Sequence, residues 1–398
     1  MTKRATYSPV IKGQAMRNEI QVSAISLLCV LAFSLLAFAA PVRAQSPVQL
    51  WSLDLSTDQD FSKRLQITDP TLKPPTLDFL GNGRIIVSFT DDVQSAPNST
   101  APEMRAFGFH VLEVDPASGK PGKKLTFSVL TDAAQTRAIA GGEFVVLAGE
   151  QLKKFSESFG EVSSMPVPVE LHGQPTKQQI SEKTYLNPRY ESWAMDVAPG
   201  GRELLLAHIQ SPKAMQLEWV DTNDFKQIAM VQAQPSRQFS AGNQAALLFQ
   251  YDKLLITSSG QETPICSRCL RAYFLTDDLL LLDERTKYEI RTVAGDRRNE
   301  GKLNAEILKF SRALSASRFA YATGRYKGSG FPLRTNFTPQ MTVRVFDWEK
   351  MKQVSELEFD EPAKAYSNGF SQIAIAVSQD GRYLAVLAEA TLTLYRLP

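Results

Sequence analysis

The feature that most constrains this 398-residue chain is a hairpin unit that recurs along it. Its clearest copy is Ile373 to Leu387, IAIAVSQDGRYLAVL, in which two apolar runs flank Asp380-Gly381 and Arg382. Asp-Gly between strand-like runs predicts a two-residue turn with positive φ at both central residues. Earlier copies are looser. TLDFL and IIVSF flank Gly81 to Arg84, AIA and FVVLA flank Gly141 to Glu143, and AMDVA and ELLLA flank Pro199 to Arg202. FSA and AALLF flank Gly242 to Gln244, YFL and LLLL flank Thr276 to Asp278, and ALSA and FAYA flank Ser317-Arg318. Successive turns lie roughly 35 to 65 residues apart, the period of solenoids and propellers.

Each hairpin is followed by a third strand and often a fourth. FGFHVLEV, LEWV and VRVF are third strands, each ending at a turn opened by an aspartate: Asp115, Asp221 and Asp347. An Asp side chain at that position accepts from backbone amides of its own turn. The last unit is incomplete, ending after Thr391 to Arg396, while Val48 to Leu55 alternates like a strand with no nearby partner. Joining these two would complete the last unit and close a ring without open edges. The reading is all-β: a seven-bladed β-propeller closed by its N-terminal strand. Six blades is the alternative, if the fourth and fifth units form one irregular blade.

The start of the chain differs from the rest. Val22 to Ala40 is almost unbroken apolar sequence, preceded by Lys3, Arg4, Lys12 and Arg17 and followed by Pro41-Val42-Arg43-Ala44. That pattern predicts a secretory signal over residues 1–44, cut after Ala44, with 45–398 as one propeller domain. An uncleaved anchor is the other reading of an apolar run this long, and Met16 offers a second start. The leader holds five of the 44 basic residues and one of the 42 acidic ones, so the remainder has two more acids than bases. That balance gives no electrostatic case for nucleic acid. No second run is long enough to span a membrane, and the expected location is periplasmic or extracellular.

At Ser378 to Val386 the S-x-D-G-R-x-L-A-V core resembles the blade signature of bacterial exported β-propellers of the WD-repeat, YVTN and quinoprotein-like kind. The resemblance is one of fold and covers nearly all of the chain after the leader. It departs in detail: no Gly-His/Trp-Asp pair marks the blades, Asp347-Trp348 reverses that order, and no YVTN tetrapeptide occurs. Functions in that group include scaffolds, lactonases and cofactor-dependent dehydrogenases, so the fold alone selects none.

Cys266-Ser267-Arg268-Cys269 holds the only cysteines after the leader. A disulfide is the leading reading for an exported chain. A redox pair and a metal site stay open, although zinc would need two further ligands. Haem attachment is excluded, because Leu270 stands where a histidine is required. His110, His172 and His208 show no ligand spacing, and no nucleophile elbow, phosphate loop or zinc helix occurs. No catalytic residue, metal or cofactor is therefore assigned. For a lactonase-like hydrolase with a metal in the central channel, Asp78, Asp196 and Glu191 are the carboxylates near first strands.

Connector lengths point to a binding face. Long segments at Thr90 to Arg105, Val169 to Glu191, Ser258 to Arg271 and Gly324 to Gln340 fall on one side of such a ring, and tight Gly and Asp turns on the other. The long segments carry Arg105, Tyr185, Arg189, Tyr190, Arg268, Arg271, Arg325, Tyr326, Lys327 and Arg334. Arginine with tyrosine suits protein, carbohydrate or anionic surfaces. The expected function is a binding or scaffold propeller with a protein or carbohydrate partner on this face.

Overall fold

The computed structural model describes residues 46–66, 74–92, 107–129, 134–149, 151–167, 193–211, 213–236, 238–249, 253–327, 338–360 and 373–398. By its contacts the chain divides into Met1–Ala44 and Gln45–Pro398. The leader lies outside the described residues.

Seven four-stranded antiparallel sheets form the ring, which rules out the six-blade alternative. Blade I comprises β2 (Thr76–Phe79), β3 (Ile85–Asp92), β4 (Phe107–Val114) and β5 (Pro121–Val129). Blade II comprises β6 (Gln135–Ala138), β7 (Phe144–Ala148), β8 (Gln151–Phe155) and β9 (Glu161–Pro166). Blade III comprises β10 (Trp193–Val197), β11 (Glu203–Ser211), β12 (Ala214–Asp221) and β13 (Gln227–Ala233). Blade IV comprises β14 (Phe239–Gly242), β15 (Ala245–Phe249), β16 (Lys253–Thr257) and β17 (Glu262–Cys266). Blade V comprises β18 (Arg271–Phe274), β19 (Leu279–Asp283), β20 (Lys287–Thr292) and β21 (Arg297–Lys302). Blade VI comprises β22 (Ile307–Arg312), β23 (Arg318–Lys327), β24 (Thr338–Asp347) and β25 (Lys352–Asp360). Blade VII comprises β26 (Ile373–Val377), β27 (Tyr383–Ala388), β28 (Thr391–Arg396) and, as its outer strand, β1 (Val48–Asp54).

The ring closes as the alternation at its N-terminus requires. β1 runs antiparallel to β28, with Val48 opposite Arg396 and Asp54 opposite Thr391. Trp51 of β1 donates Nε1–H to the Pro116 carbonyl of blade I at 2.7 Å, so the closing strand also ties blade VII to blade I. Each blade-to-blade junction has its own buried apolar cluster. Second strands such as LLLLD of β19 are buried on both faces, which is why they read as unbroken apolar runs rather than alternating ones.

Three local outcomes differ from the sequence reading. Asp380 does not have positive φ; only Gly381 does, at 71°. The loop is longer than two residues: Gly381 N–H donates to Ser378 O at 2.8 Å, and Asp380 Oδ1 accepts from Arg382 N at 3.0 Å. Asp380 therefore serves as an acceptor within the turn. Second, residues 258–271 are not one long connector, because β17 runs through them and leaves only 267–270 between blades. Pro264, with no N–H to donate, fits β17 because this is the outermost strand of its blade. Third, the polar stretch after β1 contains a helix, α1 (Gln59–Gln66), capped by Asp58 Oδ1 accepting from Asp60 N and Phe61 N. It offers little apolar periodicity: Phe61 is fully buried while Leu65 is exposed. The three turn-opening aspartates behave as expected, with Asp115, Asp221 and Asp347 each accepting from an amide two or three residues on.

Gly200 and Gly201 separate two costs. Both have positive φ, but a Cβ at Gly200 meets nothing, whereas one at Gly201 would lie 2.5 Å from the Ala140 nitrogen of blade II. Alanine at Gly200 should cost about 1 kcal/mol from backbone strain, and alanine at Gly201 distinctly more, since backbone cannot rotate aside. Thermal or urea melts of the two variants check this, and equal losses would mean that neighbouring turns do not pack as described.

Candidate functional site

The first strands face the axis. β26 contacts β22 and β2, and contacts continue from β2 to β6, β10, β14 and β18. Each first strand is the inner edge of its sheet, with backbone groups unmatched by any strand. Side chains of the preceding blade meet them. Asp78 accepts from Ala138 N, Gln135 Oε1 from Met195 N at 3.1 Å, and Asp196 Oδ2 from Ala241 N at 2.9 Å. Ser240 Oγ accepts from Phe274 N at 3.2 Å, Asp283 Oδ2 from Ile307 N at 2.7 Å, and Ser311 Oγ from Val377 N at 3.0 Å. At the last junction Gln379 Nε2 donates to Phe79 O at 3.1 Å.

Two carboxylates and two guanidiniums gather where the first strands end. Arg137 Nε lies 3.8 Å from Asp196 Oδ1, and both side chains keep about 30% of their surface exposed (30% and 29%), so water reaches them from the axis. Arg312 donates to the carbonyls of Phe274 in blade V and Val197 in blade III, bridging across the axis. Burial lowers its pKa, with Asp196 and Asp277 opposing that shift. Burial pushes the Asp78 carboxyl up to about 7, against the pull of Arg137 and the Ala138 amide, and Asp196 adds to the rise. As a pair for acid-base chemistry these carboxylates are already committed to amides of the next blade. As a divalent-metal site the set fits poorly, because among the described residues no third histidine, cysteine or carboxylate side chain groups with Asp78 and Asp196. Glu191 lies outside the described residues.

Of the residues expected on a long-connector face, Arg105, Tyr185, Arg189, Tyr190 and Arg334 lie outside the described residues. Arg325, Tyr326 and Lys327 fall at the end of β23, opposite Gln340, Pro339 and Thr338 of β24, rather than in a loop. Arg268 is exposed on the connector between blades IV and V. Arg271 is not on a loop; it opens β18, where its Nη1 donates to Leu308 O at 3.0 Å, strapping blade V to blade VI. Cys266 and Cys269 form a disulfide, with Cα atoms 5.7 Å apart. Glu284 lies near both sulfurs, but bonded thiols cannot serve as thiolate ligands.

Of the histidines, His172 lies outside the described residues, and His208 stacks on Trp193 with ring centroids 4.3 Å apart. His110 is not alone. The pairing of β3 with β4 sets it on the same face as Asp91, and its Nε2 lies 3.3 Å from Asp91 Oδ2. Asp60 of α1 approaches Nδ1 at 3.8 Å. Sequence spacing could not reveal this set, since Asp91 and His110 lie on separate strands and Asp60 on a helix that precedes blade I in the chain.

This geometry defines a closed seven-bladed β-propeller. No family model matches the sequence, and no curated protein matches it. Among solved structures, a chain in the crystal structure of the mitotic checkpoint complex aligns with a TM-score of 0.50 and 12% identity, covering 90% of this chain and 98% of that one. A chain in the complex of BBS1N with ARL6DN aligns with a TM-score of 0.47 and 10% identity, covering 90% and 98%. At 12% identity the first likeness is one of fold. Among the described residues no helix is long and apolar enough to cross a membrane.

Asp78 sets a pH dependence. Its folded pKa, about 7, stands above the 3.8 of an ordinary Asp, so the folded state holds the extra proton between those values. Its contribution is fully present below about pH 4 and is lost as pH rises through 7. Asp78→Asn keeps the acceptor for Ala138 and cannot ionise. The variant should match the parent below about pH 4, with the gap opening as pH rises from there to an amount on the order of a few kcal/mol at pH 8. Melts across pH 4 to 9 measure the gap; a gap that does not widen with pH contradicts the assignment.

Proposed function

We propose that this chain is an extracytoplasmic scaffold propeller, exported by residues 1–44, that holds a protein or carbohydrate partner on the face of its long connectors. The asymmetry of the ring carries the reading. Every first-to-second-strand turn is short, and Arg312 and Gln379 tie several of those ends together across the axis. Antiparallel order makes β3, β9, β23 and β25 end on the other face, and 10 to 26 residues of sequence separate each from the next strand. Long connectors on a rigid frame are where binding groups collect. The exported location is supported by the apolar leader and by a disulfide in the chain that follows it. The similar chain in the mitotic checkpoint complex belongs to a protein assembly, which makes a protein partner the first to test, while the 12% identity of that chain to this one is too low to suggest which. The hydrolase alternative loses ground because Asp78 and Asp196 are spent on capping backbone amides of the next blade.

Site-specific photo-crosslinking tests the face. A crosslinker at the exposed Arg268 should capture a discrete partner in the envelope or secreted fraction, while one at Arg382, whose side chain is 76% exposed on the tight-turn side, should capture none. The captured protein should begin at Gln45. Crosslinks at position 382 alone, or an intact leader on cytoplasmic protein, would refute the reading.

A further inference from the structure

His110, Asp91 and Asp60 form a cluster that apolar packing does not explain. His110 and Asp91 are each 3% exposed, yet His110 Nε2 and Asp91 Oδ1 have no hydrogen-bond partner among the described residues. Buried polar atoms left unmet are costly and need a reason. The ring is held from its other side: Nδ1 is 3.1 Å from Thr126 Oγ1, and the Phe89 ring stacks on the imidazole at 5.0 Å. Nε2 is thereby aimed at Asp91, at 3.3 Å, without the alignment of a hydrogen bond. A separation of roughly 3.3 Å is what two ligands show when each lies about 2.0–2.1 Å from a tetrahedral zinc ion.

The surroundings suit an ion as well. Gly108 brings its backbone close beside both atoms, since a Cβ there would stand 2.2 Å from Asp91 Oδ1 and 2.9 Å from His110 Nε2, so a side chain at this position would push the two apart. One ligand atom from each of Asp60, Asp91 and His110 can be chosen so that all lie within 4.8 Å of one another. Asp60 is held by two lysines, its Oδ1 accepting from Lys63 at 2.8 Å and its Oδ2, the oxygen that approaches His110, from Lys124 at 2.7 Å. Outer hydrogen bonds of this kind, like that of Thr126 to Nδ1, fix the direction of metal ligands. Lys124 also lowers the charge of the site, so affinity should be moderate rather than that of a thiolate centre.

We infer that Asp60, Asp91 and His110 form a binding site for one divalent zinc-type metal ion, with a fourth position left to water. One imidazole and two carboxylates favour zinc over magnesium, which prefers oxygen ligands alone. The ion would join α1, which follows the closing strand β1, to β3 and β4 of blade I. Its effect is then to lock the junction where the ring closes. This inference does not depend on the partner or compartment proposed above.

The test uses the untagged full propeller freed of metal by chelation. Titration with zinc chloride followed by calorimetry should show one equivalent bound, with Tm rising by about 3 °C or more at saturation and magnesium giving no shift. Asp91→Asn, which preserves shape, should abolish the heat and the shift, and so should His110→Gln. His208→Gln, at the other described histidine, should retain both. Each variant is compared with its own metal-free Tm, which separates loss of binding from loss of stability. No zinc-dependent shift in the parent protein, or one that survives Asp91→Asn, overturns the site.

Discussion

The structure depends on how seven sheet edges are satisfied at one crowded axis. Each blade presents its first strand inward, and that strand has no neighbour on its inner side. Ala138, Met195, Ala241, Phe274, Ile307 and Val377 would leave amides unmet there, and each is instead met by a side chain of the preceding blade. An unsatisfied buried amide costs roughly 1–3 kcal/mol. Six of them would consume most of the 5–15 kcal/mol by which a domain is usually stable. The straps thus decide whether blades that already pack well through their apolar clusters can also close into a ring.

This requirement shapes the two faces. Where the first strands end, Arg312 and Gln379 reach past their neighbours, and Gly201 lets the turns of blades II and III touch. Such an end has little freedom to evolve binding loops. β3, β9, β23 and β25 end at the other face, and there 10 to 26 residues of sequence precede the next strand. Asp78 marks the cost of the arrangement, since an amide is capped by a carboxyl too buried to ionise freely at neutral pH.

The blade pattern was legible because each hairpin writes itself as two apolar runs around a short turn, and the unpaired alternation at Val48 to Leu55 told where the ring closes. The straps were not legible. Their only common property is an acceptor or amide side chain, supplied as Asp, Gln or Ser at positions that do not align between blades. Asp78 and Asp196 stood out in the sequence as carboxylates near first strands, candidates only for the alternative of a channel metal; in the structure they cap amides of the next blade. Arg271 read as a loop residue because β17, with Pro264 and only five residues, looks like connector. The His110 cluster depends on β3–β4 register and on α1, a helix with one buried aromatic, and neither is encoded in local spacing.

Hydrogen exchange at the inner-strand amides tests the central claim most directly. Peptides containing Ala138, Ala241 and Val377 should exchange as slowly as the ladder amides of second strands, and Asp196→Ala should accelerate Ala241 while leaving Val377 slow. Exchange of these amides at the rate of exposed turn amides in the unmodified protein would contradict the account.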